Sequence, residues 1–201
     1  MNILAIDCCL RLTGTALMSD GEVIGTLQED LGRRQSQELP LMAERLLTSN
    51  GLTWDSLDYV ALTNGPGYFT GVRVGAAYAS GLAYASGAKI IPVSSLEVLA
   101  HSSGLSGKIL VVVYAGHGFV YASSDGLLEA GEYTLEELHE WQKANPDVAA
   151  ISDDPERAEV SALKVTPDVR ALCELAGLRT EQAMSPLELR VNYYRAPQGV
   201  K

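Results

Sequence analysis

The chain has 201 residues, 47% of them hydrophobic, and its 15 basic against 25 acidic side chains leave a formal charge of −10. Such a length and apolar content suffice for one or two compact domains with real cores, and no low-complexity run argues for disorder. The acidic balance disfavours direct, salt-driven binding of nucleic acid, which this chain would meet only indirectly, through a basic partner.

The cysteines Cys8, Cys9 and Cys173 form neither a disulfide framework nor a CxxC pair. The opening MNILAIDCC lacks a basic n-region and carries Asp7 inside its first apolar run, so it does not read as a signal peptide. No apolar run approaches the roughly 18 residues that a membrane helix needs. The expectation is a soluble, cytoplasmic protein without membrane contact.

In chain order, Ile3-Leu4-Ala5-Ile6 ending at Asp7 predicts a buried strand. A second strand is expected over 13–19, an Asp20-Gly21 hairpin turn, and a third strand over 22–28. Leu39, Met42, Leu46 and Leu47 share one side of a helix over about 35–50, with Pro40 early and Gly51 at its stop. Strands follow at 59–63 and 89–93. Between them lie the Asn64-Gly65-Pro66-Gly67 loop and a long helix over about 70–85, and a short helix over about 95–101 comes after.

Residues 102–107, SSGLSG, read as a linker, after which the opening pattern recurs. Ile3-Leu4 corresponds to Ile109-Leu110, and the Asp20-Gly21 turn to Asp125-Gly126. A helix around 135–143 and a strand at 148–152 extend the parallel. The period is too long for a solenoid, so two duplicated lobes are expected, 1–101 and 108–201.

Four features bear on chemistry. The 65–71 run, GPGYFTG, sits between a strand and a helix; it reads either as an anion site or, more simply, as a tight turn with Thr70 as N-cap. It contains no GKS or GKT and is not a Walker loop. In the following helix Arg73 is the one charged residue, and Gly71, Gly75, Ala79 and Ala83 form a stripe at four-residue steps. Small residues so spaced permit close helix approach, either inside the lobe or against a second subunit. Asp7, at the end of the first strand, could orient metal and water under a phosphate or merely cap the strand. The position matching it in the second half is Val113, so such a clamp lacks its other acid. The histidines 101, 117 and 139 show no HxxxH or HExxH spacing, which argues against a metal site, and Cys8-Cys9 read as small buried hydrophobes.

The GPGYFTGVRVG run at 65–75, with AIDCC at 5–9, RQSQEL at 34–39 and PVSSLEVLA at 92–100, resembles the TsaB (YeaZ) family, and YYRAP at 193–197 is similar to that family's closing segment. The resemblance implies an α/β fold of the actin/Hsp70/sugar-kinase type: two duplicated, ribonuclease H-like lobes with mixed sheets flanked by helices, the second lobe reduced. It implies a non-catalytic subunit that activates a TsaD-like catalytic subunit in the N6-threonylcarbamoyladenosine modification at position 37 of tRNA. A TsaE-like ATPase would join the assembled complex, the chain alone would form a homodimer, and no cofactor is called for. The interface implied lies on the first two helices, with Leu39, Met42, Leu46, Gly71, Arg73, Gly75 and Ala79 as its residues. A nucleotide, if any, would fall to Asp7, Gly65 and Gly67.

This sequence departs from the family pattern at Cys8-Cys9, where hydroxyl residues are usual, and at 114–119, YAGHGF, where an Asp-Ala-Arg-x-Gly-Glu segment is usual. Two rival readings remain: a small actin-like ATPase or phosphotransferase using Asp7 and the 65–71 loop, and a metallopeptidase.

Overall fold

A computed structural model describes residues 1–194. Each half of the chain opens with the same meander. β1 (Asn2–Asp7) pairs antiparallel with β2 (Thr13–Ser19), and β2 with β3 (Glu22–Glu29). The turn between β2 and β3 has Asp20 at φ 50° and Gly21 at φ 87°. Both central residues are therefore left-handed, the geometry that matches the natural twist of a hairpin. β4 (Tyr59–Thr63) lies parallel to β1, and β5 (Lys89–Val93) parallel to β4, giving the order β3-β2-β1-β4-β5.

The second half repeats this with β6 (Ile109–Gly116), β7 (Phe119–Ser124), β8 (Leu128–Thr134), β9 (Ala149–Ser152) and the two-residue β10 (Leu163–Lys164). Its order, β8-β7-β6-β9-β10, and its pattern of antiparallel and parallel pairs reproduce the first sheet strand for strand. Residues 94–108 separate the strands of the two sheets along the chain; of the expected 102–107 linker, Ser102 ends a helix and the rest leads to β6.

The helices cover faces that the strand pattern left apolar. α1 (Gln35–Ser49) and α2 (Phe69–Ser86) cover one face of the first sheet, where Leu39, Ala43, Leu46, Leu47, Ala76, Ala79 and Ala83 pack on Leu4, Ile6, Leu17, Val60 and Leu62. α3 (Ser95–Ser102) starts with a Ser94–Glu97 capping box, and α4 (Leu135–Ala144) with a Thr134–Glu137 box; each pair satisfies donors that a helix start would otherwise leave open. α5 (Val169–Gly177), capped by Asp168, lays Val169, Leu172, Cys173 and Ala176 on the other face of the first sheet against Ile3, Ala5 and Met18. With helices on both sides, β1 is buried from Ile3 to Asp7, which explains its unbroken apolar run.

The second sheet is covered by α4 on one face, around Leu110, Val112, Val120, Ala122 and Leu138. Its other face packs on the first lobe: Ile109, Val111, Val113 and Ile151 share a cluster with Cys9, Leu10, Val72, Leu96 and Leu99.

The structure differs from the expectation at the start of α2. Tyr68, not Thr70, takes the cap position, and it makes no side-chain cap bond. The turn is held instead by the Tyr68 N–H donating to the Cys9 carbonyl at 2.7 Å. α5 and β10 are additions to the elements expected from the sequence. Of the closing YYRAP segment, residues 195–197 lie outside the described residues.

Candidate functional site

Asp7 lies at the carboxyl end of β1, only 2% exposed. Its Oδ1 accepts from the Thr63 hydroxyl at 2.6 Å and from the Cys9 N–H at 3.0 Å. Loss of hydration on burial pushes its pKa up, against the lowering effect of those two bonds. The Cys9 thiol donates to the Thr63 carbonyl at 3.2 Å, closing a small knot of β1, β4 and the intervening loop. Burial also pushes the Cys8 and Cys9 thiols up, so neither is a ready nucleophile. The carboxylate expected to face a metal and phosphate is thus engaged inside the protein.

The glycines of the 65–71 loop have equally local reasons. A Cβ on Gly67 would collide with the Cys9 carbonyl, and one on Gly71 with the Cys8 carbonyl; one on Gly65, at φ 101°, would stand 2.8 Å from the Asn192 carbonyl oxygen. The Gly65–Pro66 peptide is cis. The Gly65, Gly67 and Gly71 positions let backbone pack on backbone within the chain, and this close packing, rather than an anion cradle, accounts for the loop's composition.

Six of the seven residues expected at a partner interface point inward. Leu39, Met42, Leu46, Gly71, Gly75 and Ala79 are buried in this chain, Gly75 with its would-be Cβ 3.3 Å from the Cys8 Cβ. The small-residue stripe therefore serves the lobe's own packing, because α2 must come close to the 8–9 backbone. Arg73 is exposed; its guanidinium lies 3.8 Å from the Phe69 ring centroid and its Nε donates to the Tyr193 hydroxyl at 3.0 Å.

The outward side of the same helices carries a second small stripe. Arg73, Ala77, Gly81 and Ala85 are all exposed at four-residue steps, beside Tyr84 at 70% exposure, and a Cβ on Gly81 would meet nothing within 4 Å. Neighbouring α1 exposes Leu41, Glu44, Arg45 and Thr48. The signal was present in the sequence: the single charge of α2 marks its outer side, and the residues four, eight and twelve beyond Arg73 follow that side.

At the mouth between the lobes lies a cavity of about 740 Å³, lined by Arg11, Asp30, Arg33, Tyr68, Asp154 and Arg157 among others. Arg11 Nε donates to Asp30 at 2.8 Å. Arg157 reaches across from the second lobe, its Nη1 donating to the Tyr68 hydroxyl at 2.9 Å while its guanidinium lies 4.5 Å from the Tyr114 ring centroid. Asp153, just past β9, is mostly buried, and desolvation pushes its pKa up to about 6. Asp153, Asp154 and Arg157 follow β9 directly, and the parallel pairing of β9 on β6 brings them to the cleft.

The sequence model of the family "TsaD: tRNA N6-adenosine threonylcarbamoyltransferase" matches residues 21–177. The chain is 34% identical over 103 residues to the tRNA threonylcarbamoyladenosine biosynthesis protein TsaB of Haemophilus influenzae, covering 51% of this chain and 43% of that one. It is 34% identical over 124 residues to the TsaB of Escherichia coli, covering 60% and 53%. The chain thus spans about half the length of these curated relatives. The solved YeaZ of Pseudomonas aeruginosa superposes with a TM-score of 0.79 at 24% identity, covering 96% of this chain and 99% of that one, which shows the two-lobed actin-like fold. With the model matched across both sheets and relatives of these names, the chain belongs to the TsaD-type family and, within it, to the TsaB (YeaZ) proteins.

Proposed function

We propose that this chain is a non-catalytic partner of a TsaD-like subunit in the biosynthesis of threonylcarbamoyladenosine in tRNA. The names of its relatives support the pathway, and the state of Asp7 supports the absence of catalysis. A carboxyl that is buried, bonded to Thr63 and Cys9 and held towards its neutral form is poorly placed to coordinate a metal–phosphate complex. The charge of −10 supports contact with tRNA through the partner rather than directly. The cytoplasm, a TsaE-like ATPase in the full assembly, a homodimer in the absence of the partner, and the division along the chain into lobes at 1–101 and 108–201, with α5 returning to the first sheet, belong to the same reading.

The observation that carries the partner role is the exposed small-residue stripe of α2, Ala77, Gly81 and Ala85, flanked by Tyr84 and by Leu41 of α1. It offers close helix approach where the buried Gly71–Gly75 side cannot. Mixing the chain with its purified TsaD-like subunit and weighing the eluted species by light scattering tests the reading. The wild type should form a heterodimer at micromolar concentration. Gly81→Arg should lose it with an unchanged melting temperature, since nothing in the chain's own fold occupies that space. No association of the wild type, or full association of Gly81→Arg, overturns the assignment.

A further inference from the structure

The last described stretch crosses from the first lobe to the second. Met184 bridges to Ile90 at the sheet edge, each N–H donating to the other's carbonyl at 3.0 and 2.9 Å. Leu189 and Val191 pack half-buried on the α1–α2 core, and Val191 also packs on the cluster shared by the lobes, which contains Cys9. The Asn192 N–H donates to the Asn64 carbonyl at 2.8 Å, its side-chain amide donates to Asn64 Oδ1, and the Asn64 amide donates to the Arg190 carbonyl. Tyr193 leans on Phe69 and accepts from Arg73, while the Tyr194 ring lies 6.0 Å from Tyr121 of β7.

Asn64 directly follows Thr63, the residue that closes the Asp7–Cys9 knot. Residues 189–194 thus take up the polar groups at the carboxyl end of β4, fill the space over Gly65 and touch both lobes. They have no regular secondary structure, and Tyr193 is 41% exposed. A segment held by a few half-buried contacts opens locally at far less cost than global unfolding.

We propose that residues 189–194 form a releasable plug, an intramolecular occupant of the crevice over Asn64 and Gly65, separate from the open Arg11–Arg157 cavity, that shuts off the Asp7–Cys9–Thr63 knot from that side while it is seated. The plug goes beyond the partner role and does not depend on it. It places control of the crevice in the chain's own C-terminal segment, so that the crevice is open to an outside group only after self-contacts at Asn64, Phe69 and Arg73 break.

The three native cysteines provide the test. Cys9 lies in the inter-lobe cluster that Val191 joins, Cys8 is covered by α2 at Gly71 and Gly75, and Cys173 is buried beneath α5 on the opposite face of the first sheet. The full chain is treated with an aromatic disulfide reagent in native buffer, and the labelled cysteines are followed by peptide mass. Val191→Asp and Tyr193→Ala, made separately, should speed labelling of Cys9 by about tenfold and leave Cys173, and Cys8 under α2, at their wild-type rates. Selective acceleration in either variant supports the plug. Its absence from both, whether because no cysteine reacts faster or because all three accelerate together, overturns it.

Discussion

The two hairpins that open the lobes share a topology and differ in their loops. Between β1 and β2 run residues 8–12, and Cys8, Cys9 and Leu10 among them are buried, 1%, 0% and 2% exposed. Between β6 and β7 stand only His117 and Gly118, both left-handed and both exposed. The longer loop lets the first lobe receive α2 directly on its backbone, and the shorter one leaves the second lobe nothing comparable to bury. The lobes also differ in their cover: the first is enclosed by α1 and α2 on one face and α5 on the other, while the second uses the first lobe itself as one of its two covers. Duplication here preserved the order of strands but not the independence of the units.

The largest expected effect tests the buried loop. Gly71→Val should cost about 3 kcal/mol or more in urea unfolding, because the colliding atom is the Cys8 carbonyl oxygen, which cannot rotate away. Gly118→Ala in the second lobe's short loop faces open space at φ 80° and should cost about 1 kcal/mol, the price of a left-handed non-glycine alone. Equal costs would dissolve the contrast between the loops.

A smaller effect sharpens the comparison by pH. Asp153 is raised from 3.8 to about 6 in the folded state, so over pH 4–6 the folded protein binds more protons than the unfolded. Its contribution to stability is present below the unfolded pKa and is lost as pH rises through about 6, a change on the order of 3 kcal/mol. Asp153→Asn should flatten that part of the stability curve, and Asp7, also raised by burial, should account for a slope of the same sign that remains. A curve unchanged by Asp153→Asn would show this carboxyl to be well hydrated.

The smallest effect concerns the tie across the cleft. A double-mutant cycle on Tyr68→Phe and Arg157→Gln should give a coupling of about 0.5 kcal/mol, as suits a partly exposed hydrogen bond beside an aromatic ring. No coupling would mean that this hydrogen bond adds nothing to the joining of the lobes.

Much of the fold was legible because its signals are local. The apolar run of 3–6, the left-handed Asp20-Gly21 turn and the helical spacing of Leu39, Met42 and Leu46 each report on neighbours a few residues away. The candidate site was legible only in its composition. The stripe at Gly71, Gly75, Ala79 and Ala83 announces close approach but not what approaches, and the answer, Cys8 at Gly71 and Gly75 and the sheet's apolar face at Ala79 and Ala83, lies elsewhere in the same chain. Asp153 and Arg157 gave no signal, since they reach the cleft through the pairing of β9 on β6.

The sequence by itself determined the elements as far as β9, the repeat and the family, because periodicity, turn chemistry and a motif such as GPGYFTG are written in consecutive residues. The tertiary structure decided which faces are free. It placed six of the seven expected interface residues in the core and left the side marked by Arg73 exposed. It also brought α5 and residues 189–194 back onto the first lobe, where the spacing of Val169, Leu172, Cys173 and Ala176 shows an apolar face but cannot name the sheet that covers it. Burial depends on contacts between distant segments, and a linear pattern specifies that a face must be covered without specifying by what.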